Sequence, residues 1–140
     1  MVAAMYEKAF HLEIITPQRI VFQGEASSVS APGVLGGFQV LYNHAPLISA
    51  LQAGTIKVKV VDGNDLVYAT SGGFVEVKDN QVTVLADTAE RRDEIDVDRA
   101  RAAKERALKR LREREEAVDI ARAQAALARA LNRLRVAQQQ

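Results

Sequence analysis

At 140 residues, with 19 basic and 18 acidic side chains, the chain has room for one compact domain and an appendage. It has no cysteine, which excludes disulfide frameworks and thiolate metal sites. No run approaches the roughly 20 apolar residues that span a bilayer, and the opening Met-Val-Ala-Ala-Met-Tyr-Glu-Lys lacks a signal peptide's basic-then-apolar layout, so a reducing compartment and no membrane insertion are expected.

Residues 10–86 read as short strands separated by turn signals. Phe10 to Ile15 alternates apolar and polar residues and is punctuated by Pro17. Further strands are expected near residues 20–22, 25–30, 38–41 and 48–52. Thr55 to Val60 alternates with period two, as a half-buried antiparallel strand should. Asp62-Gly63-Asn64-Asp65 then turns the chain into Leu66 to Thr70. Phe74 to Val77 meets Gln81 to Leu85 through Lys78-Asp79-Asn80 in the same way. The expectation for residues 1–88 is an antiparallel β-sandwich or flattened barrel of about eight to ten short strands. The class is α+β, because the rest of the chain is helical.

After Asp87 the composition changes. Residues 91–140 contain no glycine, no proline and twelve alanines, a strong helix-forming mixture. Charge divides at the same place. Residues 1–90 carry five basic and nine acidic side chains, a balance of −4; residues 91–140 carry fourteen and nine, a balance of +5. An anionic neighbour suits such a tail, although a solvated helix with its own ion pairs explains the charges equally well. Val97, Ala100, Ala107, Leu108 and Leu111 form one helical stripe, and Asp96 is placed to cap it. Ile120, Gln124, Leu127, Leu131 and Leu134 recur at intervals of four and three, a narrow seam for a partner helix. Residues 114–119 contain no breaker, and Asp119 is a candidate second cap. The helical domain expected over 89–140 is therefore a two-helix antiparallel hairpin that is able to extend.

Catalytic signals are weak. His11 and His44 lack metal-ligand spacing, and His44 reads as a turn residue. Ser71-Gly72-Gly73 is too short for a phosphate loop, so its glycines read as a turn or bulge. The arginines carry more. Arg99 and Arg106 lie two turns apart on one helix face, and Arg129 and Arg133 share a face of the next. Folding back would let four guanidinium groups converge, with a fork geometry that matches phosphate oxygens.

Five stretches, in order, resemble the epsilon subunit family of the bacterial F-type ATP synthase. They are Asn43-His44-Ala45-Pro46-Leu47, Ser71 to Val77, Val82 to Asp87, Ile95 to Ala100 and Ala130 to Ala137. The resemblance implies a non-catalytic rotor subunit of a proton-translocating synthase, peripheral on the cytoplasmic face of the cell membrane. It implies gamma, the c ring and the catalytic alpha and beta subunits as partners. It also implies a tail that restrains ATP hydrolysis when extended. No cofactor is required. A regulatory ATP, with or without magnesium, is implied by the match of Ile95, Asp96, Arg99 and Ala100 to the family's nucleotide pattern. Glu90, Arg106, Arg129 and Arg133 stand where ATP-binding members place further contacts. Docking is implied around Phe38, Tyr42 and His44, although Gly36-Gly37-Phe38-Gln39 lacks the acidic residue common there. A nucleic-acid-binding protein and a free-standing nucleotide sensor are the rivals. The acidic β domain, with few exposed-aromatic strand patterns, speaks against nucleic acid.

Overall fold

The computed structural model describes residues 8–113 and 117–138. The chain divides into two units, one ending at Arg91 and the other beginning at Arg92.

The first unit contains β1 (Phe10–Ile15), β2 (Ile20–Ala31), β3 (Phe38–Leu41), β4 (Leu47–Leu51), β5 (Gly54–Val60), β6 (Asp65–Lys78) and β7 (Gln81–Arg91). Each falls where a strand was expected, but seven strands among the described residues stand where eight to ten were expected. The expected strands at 20–22 and 25–30 are one continuous β2, and those at 66–70 and 74–77 are one continuous β6. Both bend through register shifts, at Ala26–Ser28 in β2 and at Thr70–Gly73 in β6. The β6 corner requires glycine. Gly72 and Gly73 have φ of +133° and +141°, and a Cβ on Gly73 would stand 2.0 Å from the Leu85 carbonyl oxygen. Pairing of β6 with β7 runs to Arg91, past the expected boundary at Thr88.

Pairing follows the order β1-β7-β6-β5-β2-β3, and β1 also pairs with β2, which closes five strands on themselves. Below its corner β6 pairs with β5, and above it with β4. That switch flattens the closed sheet into two layers. Inward positions from both layers make the core: Phe10, Leu12 and Ile14 of β1, Ile56 and Val58 of β5, Tyr68, Val75 and Val77 of β6, Val82 and Val84 of β7. The β6–β7 turn has both Asp79 and Asn80 at positive φ, which suits a tight hairpin between right-twisted strands. Asn80 also ties neighbouring segments together. Its Oδ1 accepts from the Asn43 amide (2.9 Å), and its Nδ2 donates to the Ala9 carbonyl (2.7 Å).

The second unit has a short 3-10 turn (Arg92–Glu94), then α1 (Val97–Glu113) and α2 (Ala117–Gln138). Asp96 caps α1 as expected: Oδ1 accepts from the Arg99 amide (3.0 Å) and the carbonyl from the Ala100 amide (3.0 Å). Asp119 is not a cap, because α2 already starts at Ala117 and places it inside the first turn. The helices pack along one another. Only three residues separate them, so they run antiparallel. Their seam differs from the expected one. Ala100 and Ala107 are buried on α1, and Ala123 and Ala130 on α2, whereas Gln124 is exposed and Leu131 is 45% exposed. Helices approach closest where side chains are smallest, so alanines take the centre and Ile120, Leu127 and Leu134 flank it, half-buried. No helix among the described residues is long and apolar enough to cross a membrane.

Candidate functional site

Two kinds of surface stand out, one on each unit. On the sandwich, register aligns Ala50 with Phe74, Phe74 with Leu85, Leu85 with Ile15 and Ile15 with Ile20. These five apolar residues form an outward-facing row across β4, β6, β7, β1 and β2. Phe74 is 57% exposed, Leu85 53% and Ile20 52%, and Ile48, two residues from Ala50, reaches 75%. A solvated sheet face should be polar at such positions, so the row marks a face made to be covered. Its sequence signal is a break in alternation. Ile14-Ile15, Leu47-Ile48, Phe74-Val75 and Val84-Leu85 each join an inward apolar residue to an outward one.

The second apolar surface lies at the end of β3 and in the segments flanking it. Leu35 is fully exposed beside Val34 and Gly36, and Leu41 and Tyr42 are each about half exposed. Of the residues expected to dock, Tyr42 belongs to this surface. Phe38 is half-buried, packs onto the core and lines a cleft of about 470 Å³ together with Pro32, Gln39 and Lys57. His44 is half-buried, and its Nδ1 lies 2.7 Å from the Ala45 carbonyl oxygen, consistent with a turn residue. His11 stands between Glu13 (3.3 Å) and Glu25 (3.4 Å) on the outer face of the sandwich. Among the described residues, no group of three or more His, Cys, Asp or Glu is arranged to hold a metal.

On the helical unit the arginines surround the alanine seam. Arg99 and Arg106 precede the buried Ala100 and Ala107 by one residue, and Arg129 precedes Ala130. In antiparallel helices the residue before the seam falls on the same side of the hairpin in both, and so does the one three after it. Arg99, Arg106, Arg129 and Arg133 therefore share one side. The first three are exposed and Arg133 is half-buried. Asp96 commits one carboxylate oxygen to its cap, Ile95 is buried, and Ala100 is wholly enclosed in the seam. Ala100 thus sets helix separation and offers no surface of its own in the folded hairpin. Glu90 lies in the other unit, half-buried on β7 opposite Ala69.

Both units match known families. The β-sandwich domain of the ATP synthase delta/epsilon chain matches residues 9–92, and the long α-helix domain of the same chain matches residues 93–138. The chain is 54% identical over 104 residues to the ATP synthase epsilon chain of Moorella thermoacetica, covering 74% of this chain and 78% of that one. It is 50% identical over 107 residues to that of Syntrophomonas wolfei, covering 76% and 78%. Among solved structures, a chain of the Euglena gracilis mitochondrial ATP synthase OSCP/F1/c-ring assembly superposes with a TM-score of 0.75 at 25% identity, covering 86% of this chain and 76% of that one. A chain of the Tetrahymena thermophila mitochondrial ATP synthase central stalk/c-ring shares the fold, with a TM-score of 0.64 at 14% identity over 91% and 96% of the two chains.

Proposed function

The chain belongs to the ATP synthase delta/epsilon chain family, and from that premise we propose how its surfaces divide the work of a central-stalk subunit. It is an epsilon chain of the F-type enzyme, a non-catalytic part of the complex. The observation that carries the reading is the outward apolar row from Ala50 to Ile20. A face of that composition stays dry only against a partner. We assign it to gamma. The Leu35–Tyr42 region, with Phe38 and His44 behind it, we assign to the c ring. The subunit then transmits torque between the two while lying at the membrane surface without entering it.

The helical tail is the regulatory part of this proposal. Its +5 balance suits the acidic surfaces of the catalytic subunits, and its extended form restrains ATP hydrolysis. Its folded form holds ATP, with the phosphates on Arg99, Arg106, Arg129 and Arg133. Asp96 supports that site as a cap. No cofactor is needed for rotation.

The experiment is reconstitution of the complex with the wild-type chain, with Phe74→Glu and with a chain ending at Arg91. Phe74→Glu should remain folded but fail to copurify with gamma. The truncated chain should assemble and hydrolyse ATP faster than wild type. Retention of Phe74→Glu in the complex would move the gamma contact elsewhere, and unchanged hydrolysis by the truncated assembly would remove the brake.

A further inference from the structure

The arginines beside the seam obey a relation that nucleotide binding leaves unused. Three on α1 are each matched by one on α2 at a constant offset of 23 positions: Arg99 by Arg122, Arg106 by Arg129 and Arg110 by Arg133. The same offset relates the buried alanines, Ala100 to Ala123 and Ala107 to Ala130. A two-fold axis normal to the plane of two antiparallel helices generates such an offset, and it keeps every residue on its own side of that plane. All six arginines therefore line one side of the hairpin.

They fall into two groups of three. Arg99, Arg129 and Arg133 lie at the open end, and the two-fold turns them into Arg122, Arg106 and Arg110, centred about nine residues along, about 14 Å away at the helical rise. The second group borders a cleft of about 350 Å³ lined by Arg110, Glu113, Asp119 and Arg122. Glu113 and Asp119 line that cleft beside Arg110 and Arg122, so a phosphate there meets the guanidinium edges turned away from the two carboxylates, and Asp96 stands at the opposite end of the row. A nucleotide on the first group and Arg106 leaves Arg110 and Arg122 unused.

We propose that the second group is a further phosphate subsite, and that the hairpin takes linear inorganic polyphosphate, one chain bridging both groups. The inference rests on the nucleotide reading only in placing phosphate at the first group. Guanidinium forks match the paired oxygens of successive phosphates. Bridging makes the ligand bivalent, so a chain long enough to reach both groups gains affinity on the order of a hundredfold over one that fills a single group. A single-stranded nucleic acid suits this side less well. Residues 92–140 contain no aromatic side chain on which its bases could stack.

Calorimetry on the full chain tests this with ATP, tripolyphosphate, a polyphosphate several times longer, and single-stranded DNA of matching charge. The longer polyphosphate should bind at least about tenfold more tightly per phosphate than tripolyphosphate. Arg110→Gln/Arg122→Gln should abolish that gain and leave ATP affinity unchanged. Lys109→Gln/Arg112→Gln, which removes two charges from the face turned away from the seam, should leave the gain intact. Absence of a length effect while ATP still binds overturns the second subsite alone. Equal loss in the two double variants, or DNA binding as tightly as polyphosphate, reduces the surface to general charge attraction and overturns it too. Failure of ATP and every phosphate chain to bind removes the nucleotide reading with it.

Discussion

The sandwich and the hairpin both bury apolar side chains, but the sandwich buries mostly large ones and the hairpin mostly alanines, with Asn132 and Val136 beside them. Leu12, Ile14, Ile56, Tyr68 and Val84 are almost completely enclosed in the sandwich, whereas the fully buried positions of α1 are Ala100 and Ala107. Burying a large aliphatic or aromatic side chain contributes about 1.5–3 kcal/mol, and an alanine methyl contributes far less. The sandwich is also tied by pairings between distant segments, such as β1 with β7, whereas the hairpin joins neighbours in sequence. The first unit is therefore built to be a fixed platform. The second is held by close approach of backbones, and a competing partner has little to overcome.

The largest effect expected from this contrast is in the platform. Leu12→Ala removes most of a side chain with no exposure and leaves a cavity between layers that cannot collapse easily, so it should cost about 2–5 kcal/mol of global stability. Urea unfolding followed by strand-region circular dichroism measures it. A loss below about 1 kcal/mol would mean that the core is far more plastic than its packing indicates.

The regions also differ in how openly the sequence displays them. Alternation locates β1, β5 and β7 because each presents one wet and one dry face. It splits β2 and β6 because a register shift interrupts the pattern while backbone pairing continues, and Gly72-Gly73 looks the same whether it ends a strand or bends one. Phe74 and Leu85 escape notice as docking residues because an outward apolar residue beside an inward one reads locally as stronger core. In the hairpin, the four-and-three spacing of Ile120, Leu127 and Leu134 draws the seam through Gln124 and Leu131, although closeness is set by the small Ala123 and Ala130. Asp96 is legible because a cap is a local device. The 23-residue repeat of arginines has meaning only once the helices are known to pair antiparallel.

A middle-sized effect tests whether the alanine seam is what holds the hairpin. Ala107→Leu inserts bulk where the backbones are closest and should cost about 1–3 kcal/mol of hairpin stability by overpacking. Hydrogen exchange separates the units. Amides of α1 and α2 should lose protection, while those of β6 and β7 keep the wild-type values. Equal protection in the variant would put the true contact surface on another face of the helices.

The smallest effect is at Asp96, where two roles can be separated by one oxygen. As a cap, it accepts the Arg99 amide through Oδ1 and its backbone carbonyl takes the Ala100 amide. Asparagine retains a side-chain oxygen at the same place and ranks with aspartate as a cap, whereas alanine has none. Asp96→Ala should therefore cost about 1 kcal/mol of α1 stability, seen as faster exchange of the first-turn amides. Asp96→Asn should cost a few tenths at most, the part that reflects the negative charge near the positive end of the helix. Neither should change the unfolding midpoint of the sandwich, which owes nothing to this bond. If ATP affinity falls in Asp96→Asn while the cap stays intact, the carboxylate itself meets the ligand. If it falls only in Asp96→Ala, the residue acts by holding Arg99 at the start of an ordered helix.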